Sequence, residues 1–160
     1  MNIDDLKRQA AERAVAFVKS GMVVGLGTGS TAVHAVHAIG QRLQDGVLHD
    51  ITAIPTSDAT ARNAQKWGIP LTTFDDHPVI DVTIDGADEV APNLDVMKGL
   101  GGALLREKIV AIASKQLIIV ADDSKHVDRL ATKAPIPIEV IPFARRPVTA
   151  FLESLGGRPV

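Results

Sequence analysis

The fold is decided by MVVGLGTGST, at residues 22–31. Its first half, 22–26, is a short apolar run typical of a buried strand, and a helical pattern follows from residue 31. Glycines in the intervening turn let the backbone approach an anion, and the amides at a helix start favour negative charge. Because a plain turn does not need the added hydroxyls, we predict a phosphate-binding loop. The residues predicted to contact the phosphate are Thr28, Gly29, Ser30 and Thr31.

Helical and strand patterns alternate on both sides of this stretch. Apolar residues at helical spacing predict helices over 4–19, 31–44, 58–67, 103–114 and 144–155. Apolar runs predict strands over 22–26, 51–54, 70–74, 79–84, 116–121 and 136–141, and we expect 116–121 to be buried. The alternation predicts an α/β fold with a mainly parallel, Rossmann-like sheet and helices on both faces.

A domain boundary is predicted near residue 130, where the strand–helix alternation breaks and prolines cluster. We expect a Rossmann-like catalytic domain over 1–130 and the start of a small α+β domain over 131–160. Residues 155–160 have the pattern of a turn that leads into a strand. We therefore expect the chain to be truncated relative to a longer protein.

The composition excludes several classes of protein. The 160 residues include no cysteine, carry a formal net charge of −2 and are 3% aromatic. Disulfides and thiolate catalysis are therefore excluded, and neither a nucleic acid nor a membrane is predicted as a partner. The acidic N-terminus lacks the pattern of a secretory signal, and no apolar run approaches the ~20 residues of a membrane-spanning helix. We expect a cytoplasmic protein.

The second motif is DGADE, at residues 85–89, directly after a predicted strand. Ligands in open α/β sheets bind at the carboxyl ends of strands, so this turn is well placed for a site. Asp85 and Asp88, separated by Gly86 and Ala87, can accept sugar hydroxyls or move protons. A magnesium site and a solvated acidic turn without function are the other two interpretations of these residues.

A second glycine-rich loop precedes the predicted helix 103–114. Lys98 stands at its mouth and can stabilise an oxyanion, together with the backbone amides of Gly99, Leu100 and Gly101. The loop therefore resembles the first one in its design, with a cation added.

The helix that follows has an apolar stripe formed by Leu105, Ile109 and Ile112. Glu107 falls roughly opposite this stripe at ~100° per residue. Periodicity therefore predicts that Glu107 is an ordinary exposed carboxylate, and nothing local marks it as catalytic.

Lys125 lies in ADDSKH, at residues 121–126, after the predicted strand 116–121. It can reach the same sheet edge and bind phosphate, although a polar loop without a ligand is the other interpretation. A dinucleotide site is disfavoured because Ser30 stands where the last glycine or alanine of that fingerprint is required. His34 and His37 are interpreted as surface histidines, and no metal site is predicted.

Taken in order along the chain, these motifs resemble those of A-type ribose-5-phosphate isomerases. The matching segments are 24–31, 85–89, 98–102, 106–108, 123–125, 139–142 and 155–159. Each motif alone is moderately specific, whereas the ordered combination is highly specific and covers essentially the whole chain. The resemblance implies interconversion of D-ribose 5-phosphate and D-ribulose 5-phosphate in the non-oxidative pentose phosphate pathway, without a cofactor and in a homodimer.

The resemblance also assigns roles. Glu107 matches a catalytic base that passes a proton between C2 and C1 through an enediolate, and Lys98 matches a residue that stabilises the oxyanion. Asp85 and Asp88 match carboxylates that hold sugar hydroxyls and help ring opening. The implied substrate contacts are Lys7, Thr28, Gly29, Ser30, Thr31, Gly86, Ala87, Gly99, Leu100, Gly101 and Lys125.

Two features depart from the family pattern. Leu100 stands where many relatives carry a third consecutive glycine, and relatives continue well past Val160. Two alternatives to the isomerase are a sugar-phosphate-binding regulatory domain and a related sugar-phosphate deaminase or lactonase. The first normally follows a helix-turn-helix module, for which we expect no space before residue 4. The second calls for a different acid–base set.

Overall fold

The computed structural model describes residues 2–160. Within them the α-helices are Ile3–Val15 (α1), Ala32–Gln44 (α2), Asp58–Lys66 (α3), Leu104–Ile112 (α4) and Arg145–Ser154 (α5). The strands are Val23–Leu26 (β1), Thr52–Pro55 (β2), Ile80–Asp85 (β3), Glu89–Val90 (β4), Val96–Met97 (β5) and Ser114–Ile119 (β6). Short 3₁₀ helices span Asp123–Lys125 and Pro142–Ala144.

A parallel sheet forms the centre of the molecule, with the strand order β2-β1-β3-β6. Val24 of β1 pairs with Ala53 of β2 on one side and with Val82 of β3 on the other. The chain therefore goes from β1 outward to β2 and then crosses back to β3. This change of direction creates a crevice outside the carboxyl ends of β1 and β3, where α/β proteins bind ligands.

Side chains of β1 alternate between the two faces of the sheet. Val24 and Leu26 belong to the apolar core that includes Val36 of α2, while Val23 packs in a second core with Val110 of α4. This period of two is what a strand buried on both faces requires. The predicted α/β class, with a parallel sheet covered by helices on both faces, is confirmed.

Two helix starts follow from capping chemistry. The side chain of Asn2 accepts a hydrogen bond from the backbone N–H of Asp5, and the Asp5 carboxylate accepts one from the N–H of Asn2. Ser57 caps α3 by accepting from the N–H of Thr60. Such caps satisfy amides that have no partner inside the helix, and each stabilises it by about 1 kcal/mol.

Two predicted strands are wrong. Residues 70–74 contribute only an isolated bridge between Leu71 and Ala53, and residues 136–141 form no strand. In the second segment Pro137 has no N–H to donate to a neighbouring strand. The first segment pairs with Ala53 through the Pro70 carbonyl and the Thr72 N–H, but a turn begins at residue 74 and ends the pairing.

The region after β3 also differs from the prediction. Strands β4 and β5 form an antiparallel pair in a stretch for which neither a helix nor a strand was predicted. The strand predicted at 116–121 forms as β6 but is not buried, since it lies at the edge of the sheet and the Leu117 side chain is 39% exposed. The domain boundary near residue 130 stays a prediction. No helix within residues 2–160 is both long and apolar enough to cross a membrane.

Candidate active site

The glycine-rich turn after β1 and the acidic turn after β3 lie next to each other at the crevice. The Gly27 N–H donates to the Ile84 carbonyl at 2.9 Å, so the parallel pairing continues to the ends of both strands. A cavity at this edge is shared by residues 28–31 (the phosphate-side loop), residues 98–102 (the lysine loop) and the start of α4. The lysine loop leads directly into α4, and residues from 86–88 and 120–125 also line the cavity. Four separate parts of the sequence therefore meet in one place.

A buried cluster of charges lies at the centre of the site. The Lys98 ammonium is 2.9 Å from Oε1 of Glu107 and 3.0 Å from Oδ2 of Asp85, and it also donates to the Gly86 carbonyl. The side chains of Lys98, Asp85 and Glu107 are 12%, 1% and 7% exposed. One cation thus faces two carboxylates, which leaves this cluster with one negative charge when all three groups are ionised.

Burial raises the pKa of Glu107 above its ordinary value, and the negative charges of Asp85 and Asp88 raise it further. The hydrogen bond and the positive charge of Lys98 act in the opposite direction without cancelling these effects. Glu107 therefore has the properties of a general base, because a higher pKa makes its ionised form a stronger proton acceptor.

Asp85 lies beneath the cavity rather than in its lining. Its Oδ1 accepts hydrogen bonds from the N–H groups of Thr28, at 3.1 Å, and Gly86, at 2.7 Å, while Oδ2 contacts Lys98. Gly27 makes this approach possible, because a Cβ atom there would lie 2.2 Å from Oδ1 of Asp85. Asp85 thereby connects both loops to the end of β3.

The phosphate-side loop is anchored by neutral hydroxyl groups. The Thr28 hydroxyl lies 2.7 Å from that of Thr56, 2.9 Å from that of Ser57 and 3.2 Å from that of Thr60. Thr60 also donates to the Gly27 carbonyl at 3.0 Å. The Thr28 side chain therefore points back into the protein, where it holds the loop in place.

The phosphate-side loop leads directly into the first turn of α2. Thr31 precedes this helix and makes no capping hydrogen bond through its side chain, so the first turn of α2 is left without a side-chain cap beside the cavity. A helix start of this kind favours a bound anion. Lys7 reaches the loop from α1 and donates to the Ser30 hydroxyl at 2.9 Å.

Glycine and one carboxylate shape the lysine loop. Gly99 and Gly102 have φ angles of 107° and 76°, in the region that favours glycine. Oδ2 of Asp88 accepts from the Leu100 N–H at 2.9 Å. The Leu100 side chain is 51% exposed and lies outside the cavity lining, so this departure from the family pattern leaves the loop and its backbone contact intact.

Most of the predicted site residues line one cavity. The set consists of Thr28, Gly29, Ser30, Thr31, Gly86, Ala87, Asp88, Lys98, Gly99, Gly101, Glu107 and Lys125. The predicted residues outside the lining are Asp85, Leu100 and Lys7. No cluster of three or more His, Cys, Asp or Glu side chains able to hold a metal ion occurs in the described part of the chain.

The periodicity argument about Glu107 is wrong. Glu107 is 6% exposed, whereas Leu105, Ile109 and Ile112 of the apolar stripe are 55%, 45% and 74% exposed. Helix α4 turns Glu107 towards Lys98 and packs Val110 in the second apolar core. The expectation from the resemblance, and not the one from the helical pattern, placed this residue in the site.

Sequence reasoning also missed part of the site. The lining includes Ala103, Val120 and Ala121, which have no distinctive chemistry. The hydroxyls of Thr56 and Thr60 hold the loop through Thr28 and Gly27, and no sequence motif identified them as part of the site. Their position beside the end of β2, the neighbour of β1, was the signal that could have found them.

Comparison with known proteins supports the arrangement. The family model for ribose 5-phosphate isomerase A (phosphoriboisomerase A) matches residues 52–160. Ribose-5-phosphate isomerase A of Desulfatibacillum aliphaticivorans is 57% identical over 97% of this chain and 67% of its own length. The chain belongs to the ribose-5-phosphate isomerase A family.

Further members of the family give the same result. Probable ribose-5-phosphate isomerase 2 of Arabidopsis thaliana is 53% identical over 95% of this chain and 58% of its own length. The solved structure of ribose 5-phosphate isomerase A from Methanocaldococcus jannaschii has a TM-score of 0.91 at 42% identity, covering 97% of this chain and 68% of that one. A structure of D-ribose-5-phosphate isomerase in complex with phospho-erythronic acid has a TM-score of 0.93 at 41% identity and covers 98% of this chain and 68% of that one.

The chain spans 58% to 68% of the length of these relatives. These names do not favour the regulatory-domain, deaminase and lactonase alternatives.

Proposed function

We propose that this chain carries the active site of an aldose–ketose isomerase that interconverts D-ribose 5-phosphate and D-ribulose 5-phosphate. The observation that carries the proposal is the buried Glu107 carboxylate, 2.9 Å from the Lys98 ammonium, in the wall of a cavity shared with the phosphate-side loop. A base with a raised pKa, a cation and an anion site thus lie together. The names of the relatives support the choice of substrate.

In the proposed reaction Glu107 removes the proton from C2 of the open-chain aldose. The electrons of the C–H bond form a C1–C2 double bond, and negative charge moves to O1 to give an enediolate. Glu107 then delivers the proton to C1, while the O2 proton moves to O1 and C2 becomes the carbonyl carbon. The substrate is rearranged without net oxidation, so the chemistry requires no redox cofactor.

Lys98 stabilises the negative oxygen in this scheme, because a fixed cation in a site shielded from water interacts strongly with charge that develops there. Asp88 lines the cavity and accepts a hydrogen bond from a sugar hydroxyl. Asp85, whose oxygens already accept from Thr28 and Gly86, acts mainly by orienting Lys98. These roles refine the pair of sugar-binding carboxylates expected from the resemblance.

The phosphate group is proposed to bind at the other end of the cavity. Its ligands are the amides of residues 29–31 at the start of α2, together with the Lys125 ammonium. Lys7, hydrogen-bonded to the Ser30 hydroxyl, adds positive charge beside the loop. This end of the site binds substrate and transition state alike, whereas Glu107 and Lys98 act on the reacting carbons.

We also propose that the active protein is a cytoplasmic homodimer. The resemblance supports the dimer, and the absence of cysteine from the sequence is compatible with a reducing compartment. Sedimentation of the purified protein tests the first part, and a monomer at micromolar concentration would contradict it.

The reaction is tested by incubating the chain with D-ribose 5-phosphate in deuterated water, without added metal or nucleotide. We expect ribulose 5-phosphate that carries deuterium at C1, because the proton on Glu107 exchanges with solvent between the two transfers. Glu107→Gln should lower kcat by about 10²–10⁴-fold and leave phosphate binding unchanged. Glu153→Gln, on the exposed face of α5, is the matched control. Normal turnover by Glu107→Gln would eliminate Glu107 as the base.

A further inference from the structure

Glu89, the last residue of the DGADE motif, has no part in the proposed reaction. Although 1% exposed, its carboxylate accepts three backbone hydrogen bonds, from the N–H groups of Ala131 at 2.6 Å, Lys133 at 2.7 Å and Ala134 at 3.2 Å. Burial alone would raise the pKa of Glu89, but these donors outweigh burial and leave the pKa below its ordinary value. Glu89 is therefore an ionised clamp that fixes residues 131–134.

The clamped segment carries a lysine that holds a neighbouring loop. The Lys133 ammonium donates to the backbone carbonyl of Ser124 and, at 2.9 Å, to that of His126. These two residues flank Lys125, the cation that lines the cavity beside the phosphate-side loop. Lys133 thus holds the backbone on both sides of Lys125 through hydrogen bonds.

Strand β4 strengthens the same connection. Val90, next to Glu89, accepts a hydrogen bond from the Val127 N–H at 3.0 Å. A line of contacts therefore leads from Glu89 through Lys133 to the backbone around Lys125. The contacts of Glu89 and Lys133 use a charged acceptor or donor, and hydrogen bonds of this kind are roughly twice as strong as neutral ones.

We propose that Glu89 and Lys133 are positioning residues that set the location of Lys125 for the phosphate group of the substrate. The inference rests on the proposed function and extends it to two residues that lie outside the cavity. Glu89 fixes the backbone from which Lys133 extends, and Lys133 fixes the backbone that presents Lys125. The phosphate end of the substrate is bound in both ground and transition states, so the pair affects KM and leaves kcat alone.

The test uses the Lys133→Ala variant of the whole chain, with Lys133→Arg as the conservative replacement. Because Lys133 is exposed, its truncation leaves the core intact. We expect KM for ribose 5-phosphate and Ki for inorganic phosphate to rise about tenfold, with kcat within twofold of the parent. Lys133→Arg should restore most of the affinity. Lys115→Ala, which removes an exposed partner of Asp81, is the matched control.

A double-mutant cycle with Lys125→Ala distinguishes positioning from general stabilisation. If Lys133 acts through Lys125, Lys133→Ala should change Ki little in the Lys125→Ala background. An equal loss in both backgrounds, an unchanged KM, or a parallel fall in kcat and melting temperature would overturn the inference. Glu89→Gln should repeat the result for Lys133→Ala if the variant folds. Phosphate binding can be measured even in a chain without turnover, so failure of the isomerase proposal would be recognised separately.

Discussion

Both loops of the site contain glycine and lead into a helix, yet they are held in different ways. The phosphate-side loop is fixed by a cluster of neutral hydroxyls around Thr28, whereas the lysine loop is fixed by the contacts of Lys98 with Asp85 and Glu107. Neutral anchors add no charge beside the site proposed for the doubly charged phosphate group. Charged anchors, by contrast, shift the pKa of the proposed base. The difference follows the chemistry expected at each end of the substrate.

If ionic contacts hold the lysine loop in place, Lys98→Met should have the largest effect on stability. It leaves Asp85 and Glu107 buried without a cation, and we expect the free energy of unfolding to fall by about 3 kcal/mol. Urea denaturation at pH 7 measures this loss. Lys115→Met removes the exposed ion pair with Asp81 and should cost less than about 1 kcal/mol. Equal losses for the two variants would remove the contrast between buried and exposed charges.

A methyl group between the two loops should disturb both of them. In Gly27→Ala the new Cβ would lie 2.5 Å from the Asp85 Cα, which forces the ends of β1 and β3 apart. We expect a loss of about 2 kcal/mol in urea denaturation. Gly101→Ala, where a Cβ would meet no atom within 4 Å, is the control for stability. A Gly27→Ala protein as stable as this control would show that the loops are not in contact through Asp85.

The neutral anchor should contribute less. Thr60→Val removes the donor to the Gly27 carbonyl and a partner of the Thr28 hydroxyl, at a cost of about 1–2 kcal/mol. KM for ribose 5-phosphate should rise, because the displaced loop binds phosphate less well. Thr73→Val, at an exposed position, should change neither quantity. A fall in kcat without a change in KM would contradict the assignment of this loop to the phosphate.

The smallest effect concerns pH. Proton removal needs ionised Glu107, so activity falls as pH decreases through its raised pKa, and the loss begins at higher pH than for an ordinary carboxylate. The charge of Asp88 contributes to this increase, and Asp88→Asn should therefore move the acid limb of the kcat/KM profile to lower pH. Thr60→Val should leave the limb in place. A shift in the opposite direction for Asp88→Asn would disprove this electrostatic account.

The sequence predicted the glycine-rich turn after β1 and the parallel sheet well because both depend on short local patterns. Strand β1, the glycine-rich turn and α2 occupy nearly the predicted residues. The predicted strand at 136–141 failed because a strand also needs a neighbour, and an apolar run between prolines does not provide one.

Glu107 shows what periodicity leaves undetermined. The spacing of Leu105, Ile109 and Ile112 correctly identifies an apolar face on α4, but it does not determine which face meets the sheet. In the observed orientation Glu107 contacts Lys98, nine residues earlier in the chain, and Val110 packs in the second core. Similarly, the Thr28 hydroxyl network joins the ends of β1 and β2, about 30 residues apart, and only the order of the strands brings them together.

The position of Asp85 beneath both loops has a consequence for motion. Its carboxylate accepts hydrogen bonds from the N–H groups of Thr28 and Gly86, and it also contacts the ammonium of Lys98, the first residue of the lysine loop. These amides cannot open to solvent without releasing the same acceptor. Hydrogen exchange at the ends of β1 and β3 should therefore occur in one cooperative event, so that the site is either assembled as a whole or lost as a whole.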